Sequence, residues 1–532
     1  MINGEIIELK KSGKIYNLHS YWTKQPTEVI ERFLAEFTNE GDKVLDCFAG
    51  TGMTGVASKK MGRVSFLYDI SKICNEISRG YTTKIEDYKA VDEEFSSFKL
   101  KMEKEFADLI NITVKGETKR VRYSLYSRDT KCPNCLKLFN TFNEEVKCLR
   151  EKIKCNEKKC PYCGFQDDKK FILEELKLRE ITVENSPEII RVLDIENYKN
   201  IVEGFKDNKN PDVSFFGKEP ERNYKFGITK VYQIYSKPNR IILNGIKSYI
   251  NRIKDPKIKT LFRFVFSSIL FNCSLLSAYT KYENTTYRTG TYYIPRIVKD
   301  NNPLDSFSSK FKLIVNTLKD LYPKDVPVFI YNGSATDLKS LDKETIDYVY
   351  IDPPYSDIIP YSELNLVWEA WLDLSSDYKN EIIVNKGTKK DLEYYQKMMA
   401  LSFLEINRVL KKGKALTLIF HHPKPSHWGI IQKSILNSGF KLITEDPIRL
   451  RSNSKTHSQI TTSKAVQGFL ALNFVKSDEK TLLKELNDKD YFNLINDLKN
   501  EAINKLYTSK EDIYDYIITK VFSRYVIKDF KI

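Results

Sequence analysis

Between Asp42 and Ile70 the apolar residues fall into two short runs, within Lys43 to Asp46 and from Val64 to Tyr68, each closed by an aspartate, Asp46 and Asp69. Short apolar runs without polar alternation mark strands covered on both faces, as in parallel sheets. Gly50, Gly52 and Gly55 break the pattern between them and Val56 to Met61 can continue as helix, which predicts strand, turn, helix, strand. A second set starts near Val326. Val328 to Tyr331 predicts a strand, Ile346 to Ile351 a buried strand ending at Asp352, Leu404 to Leu410 the close of a helix, Ala415 to Phe420 another strand, and Gly468 to Val475 a last one. Together the two sets predict an α/β chain, the halves of one doubly wound, mostly parallel, Rossmann-like sheet with helices on both faces.

The stretch from Glu86 to Pro323 has a different texture. It opens with a charged helical pattern, Asp92 to Leu109, passes through a cluster of cysteines and ends in apolar segments that predict helices. It reads as a large inserted domain. The predicted division is 1–90 and 324–476 for the two parts of the sheet domain, 91–323 for the insert with its cysteines at 131–165, and 477–532 for a helical C-terminal appendix. In that appendix Leu483, Leu486, Tyr491, Leu494, Leu498 and Leu506 recur at near-helical spacing. The most apolar stretch, Phe264 to Tyr279, holds four serines and Asn272, and it is shorter than the ~20 residues of a membrane span. A buried helix is expected there, with no membrane association; no apolar leader follows Met1, so a cytoplasmic chain is expected.

The chain has 532 residues, enough for about three or four domain-sized blocks. With 41% hydrophobic and 30% charged residues it suits a folded protein, not a disordered or fibrous one. A formal charge of +15 favours a polyanionic partner. Lys, Asn, Ile and Tyr are abundant throughout, so the charge permits nucleic acid binding without locating it. Nine cysteines in so long a chain argue against a disulfide framework, and six of them fall between Cys132 and Cys163.

Chemistry concentrates first in Asp46-Cys47-Phe48-Ala49-Gly50-Thr51-Gly52-Met53-Thr54-Gly55. Glycines there let the backbone turn off a strand and approach a ligand closely, and the following helix offers its positive N-terminus. Asp46, at the strand end, can bind an ammonium group, while Asp69, at the end of the next strand, is placed for ribose hydroxyls. An amino acid joined to a nucleoside, S-adenosylmethionine, answers both carboxylates better than NAD does, although Gly50, Gly52 and Gly55 also match the dinucleotide pattern. The second segment is Asp352-Pro353-Pro354-Tyr355, directly after the buried strand. Two prolines hold an extended turn rich in acceptors and without amide donors. An exocyclic amino group supplies two donors, which the Asp352 carboxylate and the Pro353 carbonyl can accept, and Tyr355 can stack on the ring that bears it.

The pair of motifs resembles the signature of the S-adenosylmethionine-dependent amino-methyltransferases of DNA, which methylate adenine N6 or cytosine N4 after flipping the base out. The extended string Asp352 to Leu364, with the cysteine pairs, looks most like the adenine-specific methylases that contain a zinc ribbon. This implies a Rossmann-like methyltransferase fold, with Asp352, Pro353, Pro354 and Tyr355 as catalytic residues. His19 to Pro26 resembles the family's further cofactor motif, which adds Tyr21, Lys24 and Pro26 to a cofactor set of Asp46, Phe48, Gly50, Thr51, Gly52, Thr54 and Asp69. Where the family often has Gly-Asp-Ala this chain has Gly333-Ser334-Ala335, so Ser334 and Ala335 take that place. The resemblance covers roughly 15–80 and 325–475.

Cys132-Pro133-Asn134-Cys135 and Cys160-Pro161-Tyr162-Cys163-Gly164 are two C-x2-C knuckles, 24 residues apart. Cys132, Cys135, Cys160 and Cys163 can surround one tetrahedral structural zinc, with Cys155 a possible substitute. His421, His422 and His427 share a loop after a predicted strand, where a metal site, a substrate-holding rim and a plain surface loop all remain open. Lys and Arg interleave with aromatics from Tyr279 to Tyr293 and from Arg449 to Lys455, a pattern suited to DNA contact. The expected function is methylation of adenine N6 in double-stranded DNA, in a restriction-modification or phage-defence setting with possible partner subunits. The alternatives are N4-cytosine or RNA base methylation, or a non-catalytic DNA-binding subunit retaining the fold.

Overall fold

A computed structural model describes residues 3–10, 13–154, 159–167, 171–185, 188–192, 195–207, 209–281, 285–385, 387, 389–451, 468–507 and 509–531. The chain divides into two compact units, one formed by Met1–Lys84, Thr317–Ser362 and Ser376–Ile532, the other by Ile85–Asn316 and Glu363–Ser375. The insert therefore starts and ends a few residues before the expected 91–323, and it recruits a thirteen-residue return, Glu363–Ser375, that the sequence pattern did not assign to it.

In the first unit nine strands among the described residues form one sheet: β1 (Ile6–Glu8), β2 (Lys43–Asp46), β3 (Val64–Asp69), β4 (Val328–Asn332), β5 (Ile346–Ile351), β6 (Leu410–Phe420), β7 (Phe440–Leu442), β8 (Ile448–Arg451) and β9 (Gly468–Lys476). Their order is β1-β8-β9-β6-β5-β2-β3-β4, with β7 also on β9. β4, β3, β2, β5 and β6 run parallel, and β9 is antiparallel to β6, β7 and β8. β5 is buried along its whole length, which is why its apolar run shows no alternation. Its register sets Tyr348 beside Val44 and Val349 beside Leu45, and β2 in turn sets Asp46 beside Leu67. The strand order reverses between β2 and β5, the switch point outside which open α/β sheets bind ligands.

Helices α1 (Thr27–Phe37), α2 (Met53–Lys60), α3 (Lys72–Thr82), α4 (Leu392–Val409) and α5 (Pro425–Asn437) cover this sheet. The C-terminal helices α6 (Asp488–Asn504) and α7 (Lys510–Phe522) belong to the same unit, because Ile495, Ile517, Val521 and Phe522 share a core with Val349, Leu416 and Phe474. Phe522 and Phe474 meet with ring centroids 5.6 Å apart.

The second unit holds the expected helices, Lys237–Arg252, Pro256–Ile269 and Pro303–Leu318 among them, and adds a sheet that the sequence pattern did not predict. A charged helix, Tyr88–Glu105, does open it, burying Phe98 and Met102. It leads into a sheet in which the long strands Glu117–Lys131 and Ile172–Asn185 pair antiparallel, with Ile297–Asn301 on the other side of Glu117–Lys131. Val121, Tyr123 and Leu125 are buried while Arg122 between them is exposed, a period-two pattern. The apolar stretch after Phe264 is helical only to Ile269 and ends in a two-residue strand, Ala278–Tyr279. The reason is local: Ser274 and Ser277 donate to the Phe271 carbonyl at 2.7 and 3.0 Å, replacing the helix ladder with a side-chain turn. The return segment is tied into this unit by Trp368, whose indole donates to the Ser267 carbonyl at 2.9 Å. No helix among the described residues is long and apolar enough to cross a membrane.

Candidate active site

Three aspartates gather at the carboxyl ends of neighbouring parallel strands: Asp46 closes β2, Asp69 closes β3 and Asp352 follows β5. Asp46 is buried and accepts the Phe48 amide at 3.0 Å and the Thr54 hydroxyl at 2.6 Å. Burial raises its pKa to about 7, and the charges of Asp352 and Asp69 add to the rise. Asp69 accepts the Gly50 amide at 2.9 Å and the Ser71 amide at 2.8 Å, so its carboxylate anchors the glycine loop. Gly50 and Gly52 have φ of +49° and +77°. A Cβ on Gly52 would stand 2.6 Å from the Ser78 hydroxyl, whereas one on Gly50 would face open space, the side from which a ligand can reach the backbone.

The loop after β5 is held from several directions. Asp352 takes the Tyr355 hydroxyl on one oxygen and the Gln25 amide, at 3.1 Å, on the other. Desolvation lifts its pKa to about 6 against the lowering effect of those two donors. The Tyr395 hydroxyl donates to the Pro354 carbonyl at 2.8 Å. Ser356 closes the loop with φ of +59°, a left-handed conformation in a residue other than glycine, and its hydroxyl is buried without a partner. Such a conformation costs on the order of 1 kcal/mol and persists only where neighbours enforce it. The Tyr355 ring lies between Phe420 and Phe469, each 5.6 Å away, and is 6% exposed. In this conformation it positions Asp352 instead of offering a free face.

The segment before α1 joins the two motifs. Gln25 reaches Asp352, and Thr23 meets the Tyr361 hydroxyl at 3.0 Å. Tyr21 is buried with its hydroxyl 3.0 Å from the Cys74 sulfur, and Pro26 starts α1. Lys24 is buried with its ammonium on the Tyr16 and His19 carbonyls, a contact that fixes the turn. Thr54 serves Asp46 directly, Thr51 and Ala335 are buried, and Phe48 packs against the core. Gly333 donates to the Asp69 carbonyl at 3.1 Å, which brings Ser334 to the same edge as Asp69. Gln25, Tyr361 and Tyr395 escaped the sequence reading. Gln25 and Tyr361 carried a signal, their places within the His19 to Pro26 and Asp352 to Leu364 strings.

In the second unit the sulfurs of Cys132, Cys135, Cys160 and Cys163 lie within 4.8 Å of one another, with closest pairs at 3.6 Å. Tetrahedral zinc with bonds of about 2.3 Å sets its sulfurs about 3.8 Å apart, so the four residues fit that ion. The two knuckles have the same fold. Cys132 and Cys160 donate to the carbonyls five residues on, at 3.0 and 2.8 Å, and Leu136 and Gly164, four residues on, both have positive φ. Cys148 lies on a neighbouring helix and Cys155 falls outside the described residues.

His422 and His427 stack at 3.5 Å in the first unit, with Asp357 3.3 Å from His422 Nε2. The His422 Nδ1 accepts the Lys424 amide at 3.2 Å, so Nε2 carries the proton and donates to Asp357. The ligand atoms of Asp357, His422 and His427 lie within 4.8 Å of one another. Of the proposed DNA contacts, 282–284 and 452–455 lie outside the described residues, while Arg449 and Arg451 are engaged by Asp512 at 2.9 and 2.6 Å.

Residues 6–79, which carry the glycine loop, Asp46 and Asp69, match the N6/N4 methyltransferase family, described as DNA methylase. Over these residues the chain is similar to the DNA methylases. It is 43% identical over 54 residues to the Type II methyltransferase M1.MboII of Moraxella bovis, 10% of this chain and 20% of that one. It is 22% identical over 453 residues to the Type II methyltransferase M.MjaII of Methanocaldococcus jannaschii, 80% of this chain and 76% of that one. The chain thus spans about a fifth of the length of the first curated relatives it matches.

Proposed function

We propose that the chain is an S-adenosylmethionine-dependent DNA methyltransferase that methylates adenine N6 in double-stranded DNA. The observation that carries this reading is the pairing of Asp46 and Asp352 at the carboxyl ends of adjacent parallel strands on either side of the switch point, each buried or half-buried and braced by donors. S-adenosylmethionine, when bound, supplies an electrophilic methyl on a sulfonium. Asp46, Asp69 and the glycine loop suit its ammonium and ribose.

Asp352 and the Pro353 carbonyl accept the two N–H groups of the amino nitrogen. That draws its lone pair out of conjugation and toward the methyl, with inversion at carbon and no covalent enzyme intermediate. Gln25 and the Tyr355 hydroxyl fix the acceptor oxygens of Asp352. The proton lost from nitrogen passes to solvent after transfer; Asp352 acts as acceptor throughout. The aspartate in the loop favours adenine over cytosine. Cys132, Cys135, Cys160 and Cys163 are read as a closed structural zinc site, since four sulfurs leave no open coordination position. Restriction-modification or phage defence is the proposed setting.

Purified protein incubated with S-adenosylmethionine and unmodified duplex DNA, followed by digestion to nucleosides and mass spectrometry, tests the reading. N6-methyldeoxyadenosine is expected, and none with Asp352→Ala. N4-methyldeoxycytidine would keep the chemistry and overturn the base assignment. No methylated deoxynucleoside, with cofactor bound, would refute the DNA reading.

A further inference from the structure

A cavity of about 430 Å³ opens on the sheet of the second unit. Four cations, Arg128, Arg222, Lys225 and Arg296, line it against one carboxylate, Glu145, which already accepts the Thr141 hydroxyl at 2.6 Å. Its apolar walls are aromatic, with Phe226 and Tyr293 foremost. The floor is Arg128, on the strand Glu117–Lys131. Its guanidinium lies 3.8 Å from the centre of the Phe226 ring and donates to the Glu174 carbonyl at 2.8 Å, and to no carboxylate among the described residues. Lys225 stands 5.0 Å over the same ring.

A guanidinium withdrawn from water is costly unless an anion compensates it. Desolvation holds the Arg128 pKa down to about 10, although the charge of the nearby Glu175 carboxylate works against the shift. Arg128 presents planar donors suited to two phosphate oxygens, and the exposed Lys225 and Arg296, with Arg222 paired to Glu219 at 3.2 Å, ring the mouth. The volume takes a single nucleotide unit and is too small for a duplex. Beyond it, a second cavity shares Tyr293 and Arg296 and continues to Tyr279 and Arg288, the basic and aromatic stretch singled out in the sequence.

We propose that this cavity grips one phosphodiester of the DNA substrate, with the phosphate on Arg128 and the adjoining nucleoside against Phe226 and Tyr293. The proposal rests on the DNA-methyltransferase reading and adds where the second unit holds its polyanion. It makes Arg128 a binding residue remote in sequence from the catalytic loop.

The test is fluorescence anisotropy of a labelled duplex against the full-length protein across a salt series, with Arg128→Gln and the doubly exposed Arg222→Gln/Lys225→Gln as variants. Circular dichroism and S-adenosylmethionine binding serve as folding controls. The expected result is roughly tenfold weaker DNA binding for Arg128→Gln. The log-log salt slope should fall by about one for each phosphate contact removed, with cofactor affinity unchanged. If both variants bind with parental affinity and slope while the protein methylates DNA, the cavity assignment is wrong and the enzymatic reading stands. If the variants lose only binding to single-stranded RNA, the DNA assignment is overturned. If the parent neither binds nor methylates DNA, both readings fall together.

Discussion

Asp46 is a buried carboxylate whose ordinary partners are an amide and a hydroxyl, and this combination fixes its pH behaviour. Its folded pKa of about 7 lies above the unfolded value, so the folded chain holds the extra proton between about pH 4 and 7. Above that window the ionised carboxylate destabilises the cofactor-free fold. Asp46→Asn should therefore stabilise the fold at pH 8 by on the order of 1 kcal/mol or more, read as a raised melting temperature, with the gain vanishing toward pH 4. The same variant should lose S-adenosylmethionine binding; a lower melting temperature at pH 8 would contradict the assignment of cost to the buried charge. In the parent a cationic ligand favours the ionised form, so binding at pH 7 should release about half a proton per site. Titration calorimetry in buffers of different ionisation enthalpy measures that proton. Asp352 titrates lower, at about 6, and only its ionised form accepts two hydrogen bonds. The rate of methyl transfer under saturating cofactor should fall tenfold per pH unit below about 6 and stay flat above it.

The two cysteine knuckles are the same element written with different residues. Leu136 has φ of +61° where its counterpart Gly164 has +77°, and the Leu136 side chain is 64% exposed, so it returns little burial for its strained backbone. Leu136→Gly should stabilise the knuckle by about 0.5–1 kcal/mol, and Gly164→Ala should weaken it by a similar amount. Thermal unfolding with the metal bound reads both. The glycine in the second knuckle was visible as a turn signal, but the equivalent leucine gave no hint of its conformation, since only the fold imposes it. The same divide runs through the active-site loop. Unbroken apolar runs closed by Asp46, Asp69 and Asp352 revealed the strands and their functional ends. Gln25 on Asp352 and Tyr395 on Pro354 join residues 327 and 41 positions apart, contacts that no local pattern encodes. Lys24, expected as a cofactor contact by resemblance, lies in the structure with its ammonium on the Tyr16 and His19 carbonyls.

At the scale of the whole chain, the parallel sheet was legible because strands buried on both faces write themselves as apolar runs. The sheet of the insert was not, because Glu117–Lys131 hides its pattern among charged residues and its partner Ile172–Asn185 lies 40 residues further on. The division into units nonetheless separates two chemistries. The three carboxylates belong to the unit with the parallel sheet, and the four sulfurs to the unit with the antiparallel one. Around the sulfurs the apolar support is small, with Phe139, Phe165 and Phe171 packed at the knuckles. A cluster that size cannot hold four thiolates together against their mutual repulsion without a cation, so metal binding and local folding should be one event. Mercurial titration of the purified protein should release one zinc per chain. Hydrogen exchange should then rise at the knuckles and in strand Glu117–Lys131 beside them, while β2, β3 and β5 keep their protection, because their core is built from other residues. Affinity for S-adenosylmethionine should survive the loss of metal. If it falls with the zinc, the two units are thermodynamically coupled, and the cysteine site governs the carboxylate site as well as its own surroundings.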